Sequence, residues 1–316
     1  MISLILCTTE DVESYRSEIK KETADAEVFL GKINSLTEEE KEKIEIIISY
    51  GNYDDRLLEK DVKSLPNLRW IQIISSGVDQ LPLEYLKRSN ILVTTVKGIH
   101  RIPISEYVMA MILYFSKKIP EFYERKQQKH WDASIMLHEL HGKTIGIWGT
   151  GHIGREVAAK SKAFGMKTVG VNRSGNQVEH FDDIYTIEQL QEVVGTFDYI
   201  CSVLPSNPGT RGIVTSHLIE KMKDDVVFVN VGRGDLIVEE DFIEALKRKK
   251  ISGAALDVFH REPLEENHPF WELDNVVITP HASAHSEMYA RRALQIFYQN
   301  FKLFKQQSYT EMINRV

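Results

Sequence analysis

A glycine-rich turn between a strand and a helix constrains the fold of this chain more than any other segment. Thr144–Trp148 is an apolar run with the composition of a β-strand, and it leads directly into Gly149–Gly154, which has the sequence GTGHIG. A helical pattern follows, with Val157 and Phe164 spaced along it. Because the G-x-G-x-x-G pattern lies between a strand and a helix, it predicts a dinucleotide-binding βαβ unit rather than a glycine turn without a ligand.

The residues of this turn have separate predicted roles. Gly149 permits the tight turn, Gly151 lets the backbone approach a pyrophosphate, and Gly154 allows the helix to pack closely on the strand. The backbone amides of His152 and Ile153 lie at the start of the helix, where N–H groups and the helix dipole attract an anion. All five residues are therefore predicted to bind the cofactor.

The end of the next predicted strand indicates which dinucleotide is bound. Asn172 stands 18 positions after Gly154, close to where an NAD-binding chain carries Asp or Glu for the adenosine ribose. Asn172 is neutral, Arg173 can pair with a phosphate, and Ser174 can donate a hydrogen bond to one. We therefore predict NADP as the cofactor, with NAD possible. The alternative is that Arg173 only covers the adenine.

The rest of the sequence alternates short β-type runs with helical patterns. The predicted strands are Ile2–Leu6, Glu27–Leu30, Ile44–Ser49, Trp70–Ile74, Ile91–Thr95, Thr144–Trp148, Thr168–Asn172, Tyr199–Leu204, Val226–Val231, Gly253–Val258 and Val276–Thr279. Predicted helices include Thr37–Lys43, residues 105–129 with a break near Pro120, and residues 286–305. Strands that alternate with helices predict parallel sheets with helices on their faces.

The chain has 316 residues, which favours two domains over one. We predict an α/β protein with two doubly wound parallel-sheet domains, Rossmann- or flavodoxin-like, and a cleft between them. Residues 1–100 and 286–316 are predicted to form the substrate-binding domain, and residues 101–285 the dinucleotide-binding domain.

Three polar side chains follow predicted strands of the second domain. Arg233 lies in Asn230-Val-Gly-Arg-Gly234, Glu262 in Asp257-Val-Phe-His-Arg-Glu-Pro263, and His281 in Thr279-Pro-His-Ala282. Taken singly, their ordinary interpretations are a surface ion pair, a solvated turn residue and a hydrogen-bonded loop residue. In an open parallel sheet, however, ligands bind at the carboxyl ends of the strands. We therefore expect the three side chains to converge on one site.

With these segments in place, the chain resembles the D-isomer-specific 2-hydroxyacid dehydrogenases along nearly its whole length. The motifs that carry the resemblance are Ser76-Gly77-Val78-Asp79, Gly149–Gly154, Leu204-Pro205 with Thr210, and the segments that hold Arg233, Glu262 and His281. The spacing of Glu262 and His281, with His268-Pro-Phe-Trp271 between them, is similar to that of the glyoxylate/hydroxypyruvate reductase A branch.

The resemblance implies a catalytic role for each of the three polar residues. Arg233 is expected to pair with the substrate carboxylate and polarise the 2-carbonyl, because a planar guanidinium can bond two oxygens at once. His281 is expected to be the general acid that protonates the carbonyl oxygen, and the base in the reverse direction. Glu262 is expected to hydrogen-bond the imidazole, which orients the ring and stabilises its charged form.

The resemblance also implies binding residues. The loop Ser76-Gly77-Val78 is expected to receive the substrate carboxylate on its backbone amides, beside Arg233 and His281. Asp257 resembles the family residue near the nicotinamide carboxamide. The other residues expected along the cofactor are Leu204, Pro205, Thr210, Val231, Gly232, Arg233 and His281.

The implied reaction is reduction of a small 2-oxo acid to the D-2-hydroxy acid by NAD(P)H. Glyoxylate or hydroxypyruvate is the first expected substrate and a bulkier 2-oxo acid the second, while a phosphoglycerate dehydrogenase is an alternative. Formate dehydrogenase is disfavoured, because that branch pairs its histidine with Gln where this chain has Glu262. A cofactor-sensing protein similar to transcriptional corepressors is an alternative of another class, because such proteins can retain all three polar residues.

Charge and composition argue against several other partners. The formal net charge of −7 disfavours binding to nucleic acid, and no apolar run approaches the roughly 18 residues of a membrane span. Cys7 and Cys201 are expected to be buried thiols, which favours a reducing, cytoplasmic compartment. His138 and His141 lack a third ligand at convincing spacing, so no metal is expected. The family suggests a homodimer, with residues 105–141, including Trp131, as a candidate interface.

Overall fold

The computed structural model describes residues 4–7, 14–23, 26–50, 57–75, 78 and 81–316, with residues 4–7 described by their backbone alone. The chain forms two compact units. Unit 1 comprises Met1–Ile99 and Ser286–Val316, and unit 2 comprises His100–His285. Each unit is built on a parallel sheet with helices, so the predicted fold class is confirmed.

The described elements alternate along the chain as a βα series does. The strands are β1 (Leu4–Cys7), β2 (Glu27–Leu30), β3 (Ile46–Ser49), β4 (Trp70–Ile73), β5 (Leu92–Thr94), β6 (Thr144–Trp148), β7 (Lys167–Asn172), β8 (Asp183–Thr186), β9 (Tyr199–Ser202), β10 (Val226–Asn230), β11 (Ile251–Leu256) and β12 (Val276–Ile278). The helices are α1 (Arg16–Glu22), α2 (Glu38–Lys43), α3 (Glu59–Lys63), α4 (Leu83–Arg88), α5 (Arg101–Ser116), α6 (Ile119–Gln127), α7 (His152–Ala163), α8 (Leu190–Val193), α9 (Ser216–Lys221), α10 (Glu239–Lys247) and α11 (Tyr289–Lys305).

Both sheets are doubly wound. The sheet of unit 1 has the order β2-β1-β3-β4-β5, and that of unit 2 has the order β12-β11-β10-β9-β6-β7-β8, with every pair parallel. In unit 2 the strand order reverses between β6 and β9. Loops that leave the carboxyl ends of two such strands diverge to opposite faces, which opens a crevice suited to a ligand.

Local signals explain where several helices begin and end. Thr37 accepts a hydrogen bond from the Glu40 N–H and Glu40 returns one, so the predicted N-cap of α2 is a full capping box. The predicted break in residues 105–129 falls at Lys118, whose φ of +52° is left-handed. Pro120 then occupies the first turn of α6, where its missing N–H costs nothing.

The strand β8 has no counterpart among the predicted strands. Its sequence is Asp-Ile-Tyr-Thr, all four residues are partly buried, and it lies at the edge of the sheet beside β7. A short edge strand with polar residues at both ends lacks the apolar run that marks the inner strands. The edge position therefore explains why the sequence did not reveal it.

The helix α11 supplies much of the core of unit 1. Phe297 and Phe304 stack on Trp70 of β4, each with ring centroids 5.3 Å apart, and all three side chains are buried. The Asn300 amide accepts from the Ile313 N–H at 2.6 Å and donates to the Ile313 carbonyl at 3.0 Å. The last helix and the segment after it are thus part of unit 1. None of the described helices is long and apolar enough to span a membrane.

Candidate active site

The predicted residues of unit 2 follow one row of paired residues across its sheet. The row, called here the strand-end row, consists of Trp148, Ser202, Asn230, Leu256 and Ile278, which are register partners on β6, β9, β10, β11 and β12. The segments 149–154, 204–210, 231–233, 257–262 and 279–281 come soon after it. Because all five strands are parallel, these segments all leave the sheet at the carboxyl ends of its strands.

The glycine turn after β6 has the shape that a bound pyrophosphate requires. Gly149 has a φ of +104°, which side chains rarely adopt. A Cβ at Gly154 would lie 1.9 Å from the Gly149 carbonyl oxygen, so only glycine permits this packing. Gly151 is the N-cap of α7, and no side chain there caps the N–H groups of the first turn. A Cβ added at Gly151 would meet nothing within 4 Å, so the space beside it is open. The start of α7, at His152 and Ile153, is therefore open in the way that fits a dinucleotide.

Asn172 organises the loop that follows β7. Its Oδ1 accepts from the N–H groups of Ser174 at 3.0 Å and Gly175 at 2.7 Å, an Asx turn. Its Nδ2 donates to Thr150 Oγ1 at 3.0 Å, which ties the loop to the glycine turn. An Asp at this position could bond Thr150 only by accepting its hydroxyl proton, because a carboxylate only accepts.

Arg173 and Ser174 stand exposed on the same loop. Within the described part of the chain, the Arg173 guanidinium has no hydrogen-bonding or ionic partner. With Asn172 in place of a carboxylate, no negative charge at that position opposes an approaching phosphate. The loop thus presents a free cation and a hydroxyl beside the glycine turn.

A buried asparagine shapes the turn that carries Arg233. Asn230 accepts from the Gly232 N–H at 3.1 Å and donates to the Arg233 carbonyl at 3.0 Å. Gly232, which follows Val231, packs so closely that a Cβ would lie 2.7 Å from the Leu204 carbonyl oxygen. The Arg233 side chain is exposed, and its Nη1 donates to the Gly232 carbonyl at 2.7 Å. The other guanidinium N–H groups remain available for a carboxylate.

The predicted cofactor loop is closed by Thr210 and held against the Arg233 turn. Thr210 is buried, and its hydroxyl donates to the Pro205 carbonyl at 2.6 Å and accepts from the Asn207 N–H at 3.0 Å. Asp235 Oδ2 accepts from Ser206 Oγ at 2.5 Å and from Arg211 Nε at 3.0 Å. These bonds fix the loop that begins at Leu204 relative to Arg233.

His281 and Glu262 form a hydrogen-bonded pair. His281 Nδ1 lies 2.9 Å from Glu262 Oε2, and Glu262 Oε1 accepts from the Phe259 N–H at 3.0 Å. Because a carboxylate can only accept, Nδ1 carries a hydrogen, and Nε2 is the ring nitrogen left for a substrate. The His281 side chain is 51% exposed and that of Glu262 is 26% exposed. The ring is therefore accessible while its partner is partly shielded.

The buried side chain of Asp257 fixes the loop that carries His281. Asp257 Oδ1 accepts from Thr279 Oγ1 at 2.5 Å and from the Ala282 N–H at 2.8 Å, and both carboxylate oxygens lie 3.1 Å from the Ser283 nitrogen. The His281 N–H donates to the carbonyls of Asp257 at 2.9 Å and Thr279 at 3.0 Å. This set of bonds holds His281 at a φ of +52°, a conformation that costs energy for a side chain of this size.

The structure describes only part of the predicted substrate loop. Ser76 and Gly77 lie outside the described residues, while Val78 is described in unit 1 and is partly buried. That their backbone amides receive a carboxylate stays a prediction. The same holds for a contact between Asp257 and the nicotinamide carboxamide.

Three residues without a predicted role contribute to the site. Asn230 and Thr279 lie in the motifs of Arg233 and His281, and a polar residue at or just after the end of an apolar strand could have indicated their function. Tyr107 on α5 has its hydroxyl 2.9 Å from Thr279 Oγ1 across 172 positions of sequence. No local pattern signals a contact of that separation.

Other polar groups of unit 2 have ordinary structural roles. Among the described residues, no group of three or more His, Cys, Asp and Glu side chains is placed to hold a metal ion. The helix α10 ends at Lys247, so the basic run 247–250 lies at a helix C-terminus, where cations interact favourably with the helix dipole. Cys201 is fully buried, and burial raises the pKa of its thiol to about 12, which makes it unreactive at neutral pH.

Unit 2 matches a known protein domain. Residues 109–283 match the NAD binding domain of the D-isomer specific 2-hydroxyacid dehydrogenases. This stretch is more than half of the chain and contains the glycine turn, Arg233, Glu262 and His281.

Individual relatives extend the similarity beyond unit 2. The chain is 33% identical over 290 residues to D-3-phosphoglycerate dehydrogenase of Methanocaldococcus jannaschii, an alignment that covers 89% of this chain and 54% of the relative. It is 32% identical over 252 residues to glyoxylate/hydroxypyruvate reductase B of Escherichia fergusonii, covering 77% of this chain and 76% of that enzyme. The chain therefore spans about half the length of the first relative and about three quarters of the second.

A solved structure covers the whole chain. A D-isomer specific 2-hydroxyacid dehydrogenase family protein from Aeromonas salmonicida superposes with a TM-score of 0.87 at 30% identity, covering 100% of this chain and 99% of that protein. The similarity therefore includes unit 1 as well as unit 2.

Proposed function

Because the chain belongs to the D-isomer specific 2-hydroxyacid dehydrogenase family, whose matching domain binds NAD, we propose that it reduces a small 2-oxo acid to the D-2-hydroxy acid. The proposed substrate is glyoxylate or hydroxypyruvate, with a bulkier 2-oxo acid second, and the proposed cofactor is NADPH. The similarity to a glyoxylate/hydroxypyruvate reductase supports the substrate class. The predicted relation to the A branch of those reductases remains part of the proposal.

The observation that carries this proposal is the pair formed by His281 Nδ1 and Glu262 Oε2, which lie 2.9 Å apart. Both residues, like Arg233, follow the carboxyl ends of strands in the same sheet. When bound, a reduced nicotinamide supplies a hydride. His281 donates a proton from Nε2 to the carbonyl oxygen as negative charge develops there, and in the reverse direction it accepts that proton. Glu262 holds the ring by Nδ1 and stabilises the imidazolium that precedes proton donation.

Arg233 is the proposed partner of the substrate carboxylate and 2-carbonyl. Its turn is fixed by the buried Asn230 amide, so the backbone that carries the guanidinium has a defined position. A guanidinium offers five N–H donors in a planar fork, and one of them is used by the Gly232 carbonyl. The remaining donors can bind a carboxylate oxygen and the carbonyl oxygen together, which orients the carbonyl toward His281.

The NADPH preference rests on the loop after β7. Arg173 is exposed and free of partners among the described residues, Ser174 offers a hydroxyl, and Asn172 adds no negative charge. A 2′-phosphate on the adenosine ribose gains charge-assisted hydrogen bonds from such a loop, whereas ribose hydroxyls lack the carboxylate acceptor that NAD enzymes provide. The glycine turn and the start of α7 would hold the pyrophosphate.

We propose that two copies of the chain associate through α6 and the segment after it. Six large apolar side chains are exposed there, with Trp131 at 94% and Met136 at 79%; the others are Ile119, Phe122, Tyr123 and Leu137. Apolar groups gathered in this way mark an interaction surface more often than single exposed ones do. A solution mass of one chain would remove this part of the proposal.

We also propose a reducing, cytoplasmic compartment. The chain has two cysteines, and Cys201 is a free thiol buried in unit 2. Oxidising compartments favour disulfides over free thiols, so this usage agrees better with a reducing one. Imaging of a tagged chain in its host tests the location.

A phosphoglycerate dehydrogenase-like reaction is the second candidate. The 33% identity to such an enzyme supports it, although the chain spans about half of that relative. Its oxidised substrate, phosphohydroxypyruvate, is also a 2-oxo acid and would use Arg233 and His281 in the same way. The two candidates differ only in what must bind the phosphate.

A substrate panel tests the proposal. Oxidation of NADPH and NADH is followed by absorbance with glyoxylate, hydroxypyruvate, pyruvate, 2-oxoisocaproate and phosphohydroxypyruvate. We expect the highest kcat/KM with NADPH and one of the first two acids, and the best rate with phosphohydroxypyruvate would establish the second candidate. NADPH binding without turnover of any of these acids would contradict the proposed substrates and favour an acid outside the panel or a cofactor-sensing protein. A pull-down with and without NADPH then tests the sensing role.

A further inference from the structure

A chain of side-chain hydrogen bonds runs from the helix α5 to the loop that carries His281. The Tyr107 hydroxyl lies 2.9 Å from Thr279 Oγ1, and Thr279 Oγ1 lies 2.5 Å from Asp257 Oδ1. Asp257 in turn accepts from the backbone of Ala282, the residue after His281. All of these residues belong to unit 2.

The donor and acceptor in each of these hydrogen bonds follow from the number of protons available. A threonine hydroxyl has one hydrogen, and the Asp257 carboxylate, which can only accept, takes it. The Tyr107 hydroxyl must therefore be the donor to Thr279. Burial raises the pKa of Tyr107 above its usual value, so the phenol keeps its proton at neutral pH and stays a donor. Each bond in the chain thus points toward the buried carboxylate.

We propose that Tyr107 is a positioning residue for His281, acting through Thr279 and Asp257. The imidazole touches only Glu262 in the described hydrogen-bond pattern, and its side chain is half exposed. Its location therefore depends on a backbone loop held in a left-handed conformation, with a φ of +52° at His281. Tyr107 is the one side chain in this bond chain that comes from a long helix, so it anchors the loop to a rigid element. The proposal rests on the general-acid role proposed for His281.

The test compares two equivalent substitutions on α5. Tyr107→Phe removes only the hydroxyl, and Tyr114→Phe removes a hydroxyl on the same helix that has no hydrogen-bond partner among the described residues. We expect Tyr107→Phe to lower kcat by about three- to tenfold, the value of one hydrogen bond, without weakening NADPH binding measured by protein fluorescence. Tyr114→Phe should match the wild type. Equal kcat in the two variants would overturn the proposal.

The role of Thr279 as the intermediate is tested in the same assay. Thr279→Ser keeps the hydroxyl and should retain most of the activity, whereas Thr279→Val should lower kcat at least as far as Tyr107→Phe. In the Thr279→Val background, Tyr107→Phe should have no further effect, because the bond chain is already broken. A further loss of kcat in that double variant, or a loss of NADPH affinity in either single variant, would show that Tyr107 does not act by positioning His281 through Thr279.

These results separate this proposal from the proposed function. If His281→Ala keeps full turnover, the general-acid role fails, and the positioning role fails with it. If His281→Ala loses turnover while Tyr107→Phe does not, the function stands and only the positioning role is wrong. If Tyr107→Phe does not fold, the Thr279→Val and Thr279→Ser pair decides the question.

Discussion

Glu262 contacts His281 with one carboxylate oxygen and its own backbone segment with the other. Oε2 lies 2.9 Å from His281 Nδ1, and Oε1 accepts from the Phe259 N–H at 3.0 Å. The position of the carboxylate is therefore fixed by its own backbone segment and does not depend on the ring alone. An imidazole oriented in this way presents Nε2 in a constant direction, as a general acid requires.

Glu262→Gln tests the charge of this pair. The amide keeps the shape of the side chain but removes a charge-assisted hydrogen bond of about 1.5–3 kcal/mol, so we expect kcat to fall roughly 10- to 100-fold. Steady-state reduction of the best 2-oxo acid measures it. Glu265→Gln, an exposed carboxylate three positions later, is the control and should be neutral. Equal rates in the two variants would contradict the assigned role of Glu262.

Arg233→Lys tests recognition of the substrate carboxylate. Lysine keeps the charge but loses the planar fork, so we expect KM for the 2-oxo acid to rise and kcat to fall, with kcat/KM lower by roughly 10- to 100-fold. The Kd for NADPH should change little. Arg248→Lys at an exposed ion pair is the matched control. A variant that loses NADPH binding instead would assign Arg233 to the cofactor alone.

Arg173→Ala tests the cofactor preference. Removal of the guanidinium should weaken NADPH by about tenfold or more, the value of a charged hydrogen bond, and leave NADH nearly unchanged. The ratio of kcat/KM for the two cofactors is the measurement. A wild-type chain that already prefers NADH would show that Asn172, Arg173 and Ser174 do not form a phosphate site.

The carboxylate of Asp198 makes the stability of unit 2 depend on pH in the acid range. Its carboxylate accepts from the Thr144 N–H at 2.9 Å and pairs with Lys223 at 2.5 Å. Burial would raise the pKa of Asp198, but the Lys223 and Thr144 hydrogen bonds outweigh it and hold the pKa below the usual value. The carboxylate therefore stabilises the fold above the pKa of an unfolded aspartate, about 3.9. That contribution disappears as the pH falls through the lower pKa of the folded state.

Asp198→Ala should lower the free energy of unfolding at neutral pH by about 1–3 kcal/mol, because the Thr144 N–H loses its acceptor. Denaturant unfolding at several pH values measures it, and the difference from the wild type should shrink on acidification below about pH 4. Asp224→Ala, which removes an exposed partner of Lys250, should cost much less. A difference that is constant with pH would show that the charge of Asp198 has no part in stability.

The main features of the fold were predictable because the chain uses strong local signals. Apolar runs such as Thr144–Trp148 mark inner strands, and the glycine turn after this run marks the start of a helix. Parallel strands bring their carboxyl ends together whatever their order, so Arg233 and His281 could be expected at one edge without knowledge of the register.

The features that the sequence did not reveal depend on contacts between residues that are far apart in the sequence. The Tyr107–Thr279 bond spans 172 positions and leaves no periodic signal. The cofactor contact expected of Asp257 stays a prediction, whereas the structure shows that its buried carboxylate holds the His281 loop. Such a use could not be predicted, since a buried carboxylate finds its donors only once the loop has folded around it.

The most direct test of the central claim is single-turnover reduction of the best 2-oxo acid by His281→Ala, with NADPH binding measured on the same preparation. We predict that binding is preserved while the rate falls by about 10²- to 10⁴-fold, the contribution of a positioned general acid. Wild-type turnover in this variant would contradict the assignment of His281 as the proton donor.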